Sequence, residues 1–179
     1  MNKRLLAGIL LLMMNAYLMG ICEGDLIPGF RVESGDLKML NSRELSHKVV
    51  FFFYDNKTTF PGNNEFKANL FLEYKALTAP EQNMIEIVQV IDCSEALMLS
   101  RYFWRKSLVQ NSEKYGFRIW GDWNGHLKRD YQFEDNLSYL LVVDQEGKVI
   151  YSLEGSFPEI EIKEITGLVK GIISDDEAR

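Results

Sequence analysis

Six apolar residues run without a polar interruption from Val49 to Tyr54. An unbroken run of that kind marks a strand buried on both faces. The period then changes. From Asn63 onward Phe66, Leu70, Tyr74 and Leu77 recur at helical spacing, and Ala79-Pro80 is expected to close that helix. "MIEIVQVI", ending at Ile91, predicts a second buried strand. A helix is expected straight after it, over "DCSEALMLSRYFWRKSLVQ", opened by Asp92 and Glu95 as a capping-box pair. Phe117 to Trp120 predicts a short strand and "GDWNG" a turn. "YLLVVDQEGKVIYSL" predicts a hairpin, and Pro158 opens a last helix with Ile162, Ile165, Val169 and Ile172 on one face. Near the other end, "DLIPGFRVESGDLKML" predicts two short strands about Ser34-Gly35-Asp36.

The order is therefore β-α-β-α, a hairpin and a helix. The first helix is a crossover, so the strands it joins should be parallel and right-handed. The expected fold is a three-layer α/β/α sandwich with a mixed central sheet, parallel in its βαβ half and antiparallel in its C-terminal hairpin.

The first 22 residues read differently. Lys3 and Arg4 precede an apolar run from Leu5 to Met14, the pattern of a secretory signal peptide or an N-terminal anchor. Its boundary falls between residues 20 and 24, and Cys22 opens a lipid-anchored alternative although Ile21, not a small residue, precedes it. The domain is expected over residues 25–173, with an acidic tail over 174–179. The chain of 179 residues is 46% hydrophobic, enough for one substantial core, and its formal charge is −6. Loss of the N-terminal segment leaves 18 bases against 26 acids. That balance excludes a nucleic-acid footprint and disfavours a general anionic-membrane binder. With only Cys22 and Cys93, no internal disulfide staple is expected after export.

Several motifs together resemble the thioredoxin-like superfamily, in its TlpA and peroxiredoxin-like (AhpC/TSA-like) branch. Ile27-Pro28-Gly29-Phe30 is similar to the family's opening motif. Counted from Val49, the family's Cys-Gly-Pro-Cys positions fall on Thr59, Phe60, Pro61 and Gly62; Pro61 and the later Glu65 match, and both cysteines are missing. Val143-Asp144 with Gly147 matches the "D..G" strand end, which puts Ser138 at the place of the family's cis-proline. The stretches "DWNGHLKRDYQF" and "SYLLVVDQEGKVIYSLEG" look most like the YtfJ-like periplasmic proteins, which also lack the cysteine pair.

The turn from Thr59 to Gly62 lies where α/β sheets collect ligands, and its N–H groups can attract an anion. A Thr hydroxyl cannot perform thiol–disulfide exchange. Cys93 should share that edge of the sheet, in the first turn of a helix whose dipole favours thiolate, while Asp92 opposes ionisation. The Ser138 loop would offer backbone hydrogen-bond groups to an extended peptide. His47 and His126 sit at element ends without zinc-like spacing, so no metal and no cofactor are expected. Phe103 is expected in the core, with Arg101 and Arg105 covering a surface. Gly167 and Gly171 are expected to let the last helix pack closely on the sheet.

The function expected from these features is an exported thioredoxin-like domain without dithiol redox activity. It would act as a binding or accessory module for an envelope protein or peptide, touching membrane only through its N-terminus. The alternatives are a single-cysteine thiol oxidoreductase or peroxidase acting through Cys93, and a structural envelope lipoprotein attached at Cys22.

Overall fold

The computed structural model describes residues 20–177, so the expected targeting segment lies outside it except for Gly20, Ile21 and Cys22. The strands are β1 Arg31–Ser34, β2 Met39–Asn41, β3 Val49–Asp55, β4 Ile85–Asp92, β5 Ile119–Asp122, β6 Tyr139–Val143 and β7 Val149–Glu154. The helices are α1 Asn64–Lys75, α2 Ala79–Asn83, α3 Arg101–Tyr115, α4 His126–Asp130 and α5 Glu161–Glu177. They build one mixed sheet in the order β2-β1-β5-β4-β3-β6-β7. Its centre, β5-β4-β3, is parallel; the two flanks are antiparallel.

The apolar run of β3 is buried at every position because both faces of the sheet are covered there. One face carries Phe52, Tyr54, Val88, Val90 and Leu141, under Leu127, Tyr131 and Phe133. The segment before β1 lies on the same face, with Ile21, Ile27 and Phe30 packed into that core. Phe51, Phe53, Leu140 and Val142 point the other way, against Phe66 and Leu70 of α1 and Ile162, Ile165, Val169 and Ile173 of α5. A third cluster joins Leu108 of α3 to Ile91 and Ile119.

Some boundaries differ from the sequence pattern. Pro80 opens α2, because Thr78 and Glu81 form a reciprocal capping box just before it. The helix expected at Asp92 begins nine residues later, at Arg101. Asp92 stays in the sheet opposite Asp122, and its carboxylate accepts from the Ser94 N–H and hydroxyl, closing a local turn instead of capping a helix. Phe103 is consequently 68% exposed, outside the core in which it was expected. The last helix starts at Glu161, beyond Pro158, and continues through Glu177 into the stretch expected as a tail.

Two glycine positions separate close packing from its absence. A Cβ on Gly35 would lie 2.3 Å from the Arg105 carbonyl oxygen, so the β1–β2 turn touches the backbone of α3. On Gly167 or Gly171 it would meet nothing within 4 Å. Those two glycines face solvent, and close helix–sheet packing does not account for them.

Candidate functional site

All three parallel strands end in an aspartate: Asp55 on β3, Asp92 on β4 and Asp122 on β5. Each is buried, at 0, 9 and 4% exposure. A buried carboxylate needs a cation or several donors. Asp122 accepts from the backbone N–H groups of His126 and Lys128 at 3.0 and 3.2 Å and from the Tyr54 hydroxyl at 3.2 Å. Burial raises its pKa, and those donors hold the rise back. Asp92 has Ser94 at 2.6 Å and the Lys128 ammonium at 3.6 Å.

Asp55 organises the most enclosed cluster. Its Oδ2 accepts from Lys67 Nζ at 2.7 Å and from Gln89 Nε2 at 2.8 Å, and its Oδ1 from Ser138 Oγ at 2.5 Å. Lys67 comes from the first turns of α1, Gln89 from the middle of β4 and Ser138 from just before β6. One carboxylate thus ties the Thr59–Gly62 side of the edge to the Ser138 side. Burial lowers the Lys67 pKa, and the Asp55 charge opposes that shift. The ammonium also lies over the Phe53 and Phe60 rings, 5.5 and 4.8 Å from their centroids. Gln89 Oε1 is buried without a partner among the described residues.

Ser138 is only 2% exposed. Its hydroxyl is committed to Asp55, and its carbonyl accepts from the Gly155 N–H at 2.8 Å. Ser138, the binding-edge candidate of this loop, is therefore itself part of the interior. The turn before α1 is likewise closed on itself. Asn56 Oδ1 accepts from the Thr58 and Thr59 N–H groups, the Asn56 carbonyl from Phe60, and the Thr59 carbonyl from Gly62. Thr59 Oγ1 accepts in turn from the Asn56 N–H at 3.0 Å. With those donors used, the turn is not the anion nest its composition suggests. Pro61 and Gly62 are exposed, while Thr59 and Phe60 are half-buried.

Cys93 does share the edge, just past β4, but not in a helix, so no helix dipole acts on it. It is 0% exposed, and burial, reinforced by Asp92 and Asp122, pushes its pKa up to about 12. Near neutral pH the group is a thiol, a small hydrophobe in the α3 cluster. Cys22 is exposed, and its hydrogen bond to Asp25 also raises its pKa. His47 and His126 are exposed and lie in different parts of the fold. Among the described residues no cluster of three or more His, Cys, Asp or Glu is arranged to hold a metal ion, and no helix is long and apolar enough to cross a membrane.

The sequence pattern pointed to the turn and to Ser138 but missed Asp55, Lys67 and Gln89. A signal was present: Asp ends one fully apolar run and Gln interrupts another, and a polar side chain at either place needs a buried partner.

A strand–turn–helix followed by a parallel strand and a C-terminal hairpin, with the retained proline at the turn, defines a thioredoxin-like protein. Within that class, the chain belongs to the family described as "Bacterial protein of unknown function (YtfJ_HI0045)", whose model matches residues 37–172. No curated protein matches the chain. Solved structures share the fold at low identity. The thioredoxin domain of a thiol-disulfide oxidoreductase from Bacteroides vulgatus is 14% identical with a TM-score of 0.61, over 83% of this chain and 99% of that one. A thiol peroxidase from Chromobacterium violaceum is 10% identical with a TM-score of 0.62, over 86% and 88%. An exposed lipoprotein thioredoxin from Streptococcus pneumoniae is 13% identical with a TM-score of 0.55, over 79% and 99%.

Proposed function

We propose that the protein is an exported thioredoxin-like module that binds a protein or peptide of the cell envelope and performs no dithiol exchange. The Asp55–Lys67–Ser138 network carries this reading. Where dithiol exchange would need a thiolate and a second, resolving cysteine at the turn, the chain has Thr59 and Gly62, and beside them a hydrogen-bonded ion pair that offers no nucleophile to solvent. The remaining domain thiol, Cys93, is enclosed and protonated at neutral pH. Export is supported by the basic and apolar N-terminal pattern. The partner surface that fits best is the exposed Pro61–Gly62 tip of the turn, since Ser138 is enclosed.

Peroxide consumption and insulin-disulfide reduction, measured on wild type and Cys93→Ser with dithiothreitol as reductant, test the absence of thiol chemistry. Both rates should equal the protein-free background in both proteins. A rate above background that disappears in Cys93→Ser would establish the peroxidase or oxidoreductase alternative. Crosslinking from intact cells tests the partner surface: captured partners should be lost on Pro61→Glu with Gly62→Glu, and indifference to that pair would remove it.

A further inference from the structure

We propose that the projection formed by Leu97, Met98, Leu99, Tyr102 and Phe103 seats in the surface of an anionic lipid bilayer. Leu97, Met98 and Leu99 are 77, 91 and 92% exposed, and Tyr102 and Phe103 follow at 69 and 68%. A single exposed leucine is ordinary; five exposed large apolar side chains within seven residues, at a turn and the helix start after it, form a patch. The patch continues inward as a groove of about 260 Å³ lined by Phe60, Ile91, Phe103, Trp104 and Leu108, with Lys57 on its wall.

Charge selects the occupant. From Glu95 to Glu113 the chain carries Arg101, Arg105 and Lys106 against Glu95 and Glu113, a local excess of bases in a chain whose acids outnumber bases 26 to 20. Arg105 is held by Glu33, and Arg101 stacks on Trp123. Lys57 lies 5.8 Å from the Trp104 ring centroid, and neither it nor Lys106 has a carboxylate partner among the described residues. Sequence and exposure thus put three aliphatic side chains first, two aromatic ones next on the first turn of α3, and the basic Lys106 after them, with Lys57 beside Trp104. That order matches the depth profile of a bilayer surface: acyl chains, interface, then anionic headgroups. An extended peptide would want an open strand edge, and this surface is turn and helix. The chain's net negative charge argues against bilayers only for the molecule as a whole; here Arg101, Lys106 and Lys57 outnumber Glu95 around the apolar tip. This inference does not rest on the partner surface proposed at Pro61–Gly62, although Phe60 of the same turn lines the groove.

The test uses the full chain carrying Cys22→Ser, with an environment-sensitive fluorophore on Met98→Cys or, as control, on Lys163→Cys. The probes are vesicles of phosphatidylcholine alone or with about one third phosphatidylglycerol. With the anionic vesicles the label at position 98 should shift to the blue and be quenched by lipids spin-labelled near the headgroup, while the label at 163 stays in water. Attachment through the N-terminal segment alone would leave both labels in water and overturn the proposal. Lys57→Glu with Lys106→Glu should weaken insertion by about tenfold or more. Equal insertion into both vesicle types, or into anionic vesicles by that charge-reversed variant, would overturn it. So would protection of position 98 without vesicles in a sedimenting dimer, which assigns the patch to a second copy.

Discussion

At the scale of single residues, the chemistry of the edge is set by what burial does to charge. Asp55 has lost all contact with solvent and depends on Lys67. Lys67→Met should therefore cost ~3–5 kcal/mol, because it leaves a carboxylate buried without its cation. Adding Asp55→Asn removes that charge, so the double variant should be more stable than Lys67→Met alone in urea unfolding. Simple additivity of the two losses would mean that the pair is not coupled. Cys93 gives a pH dependence. Its folded pKa, about 12, stands above the ordinary thiol value of 9.0, so between them the unfolded chain has lost a proton that the folded chain keeps. Its contribution is complete below pH 9 and is lost as pH rises toward 12. Stability should fall between pH 8 and pH 11, and Cys93→Ala should make that fall smaller by on the order of 2–3 kcal/mol, since its cavity cost is the same at both. An equal fall in both proteins would show that the thiol is not shielded. Asp92 beside Cys93 showed the direction of the thiol's shift in the sequence, but the Asp55 cluster was not legible from local pattern. Asp55 meets its partners across separations of 12, 34 and 83 residues, and only the polar residue in each apolar run hinted at it.

At the scale of elements, legibility followed periodicity. β3, β4 and the β6–β7 hairpin appear where the spacing puts them, and α5 keeps the expected apolar face although it starts at Glu161 and runs to Glu177. The start of α3 was hidden because Asp92 and Glu95 satisfy a capping signature that the chain does not use: β4 keeps Asp92 in register with Asp122. Glycines illustrate the same limit, since sequence shows the residue and not the space around it. Gly35→Ala drives a methyl into the α3 backbone and should cost ~1–3 kcal/mol. Gly167→Ala, on the open face of α5, should gain roughly 0.5–1 kcal/mol through helix propensity. Thermal unfolding of the two variants reads both signs. A neutral Gly35→Ala would mean that the β1–β2 turn and α3 are free to separate.

At the scale of the whole molecule, the two faces of the sheet are covered unequally. Long helices α1, α3 and α5 cover one; the other has the five-residue α4, the segment around Tyr131 and Phe133, and the chain before β1. That leading segment is structural. Ile21 packs into the core and its N–H donates to the Tyr131 carbonyl at 3.3 Å, Gly24 donates to Val149 at 2.8 Å, and Glu23 accepts from the Ser152 N–H at 3.1 Å. The apolar pattern alone leaves the boundary of the N-terminal segment open between residues 20 and 24, because small residues stand at several positions. Packing separates the choices. A chain beginning at Ile21 keeps the cover over Tyr131; one beginning at Asp25 exposes that side of the core and loses the bonds of Ile21, Glu23 and Gly24. The longer chain should be more stable by about 2–3 kcal/mol, from a half-buried isoleucine and the lost hydrogen bonds. Urea unfolding of the two chains measures the difference. If processing occurs, the mature terminus found by mass spectrometry should retain Ile21. Equal stability would mean that residues 21–24 only rest on the domain, and the boundary would then be set by the processing enzyme without regard to the fold.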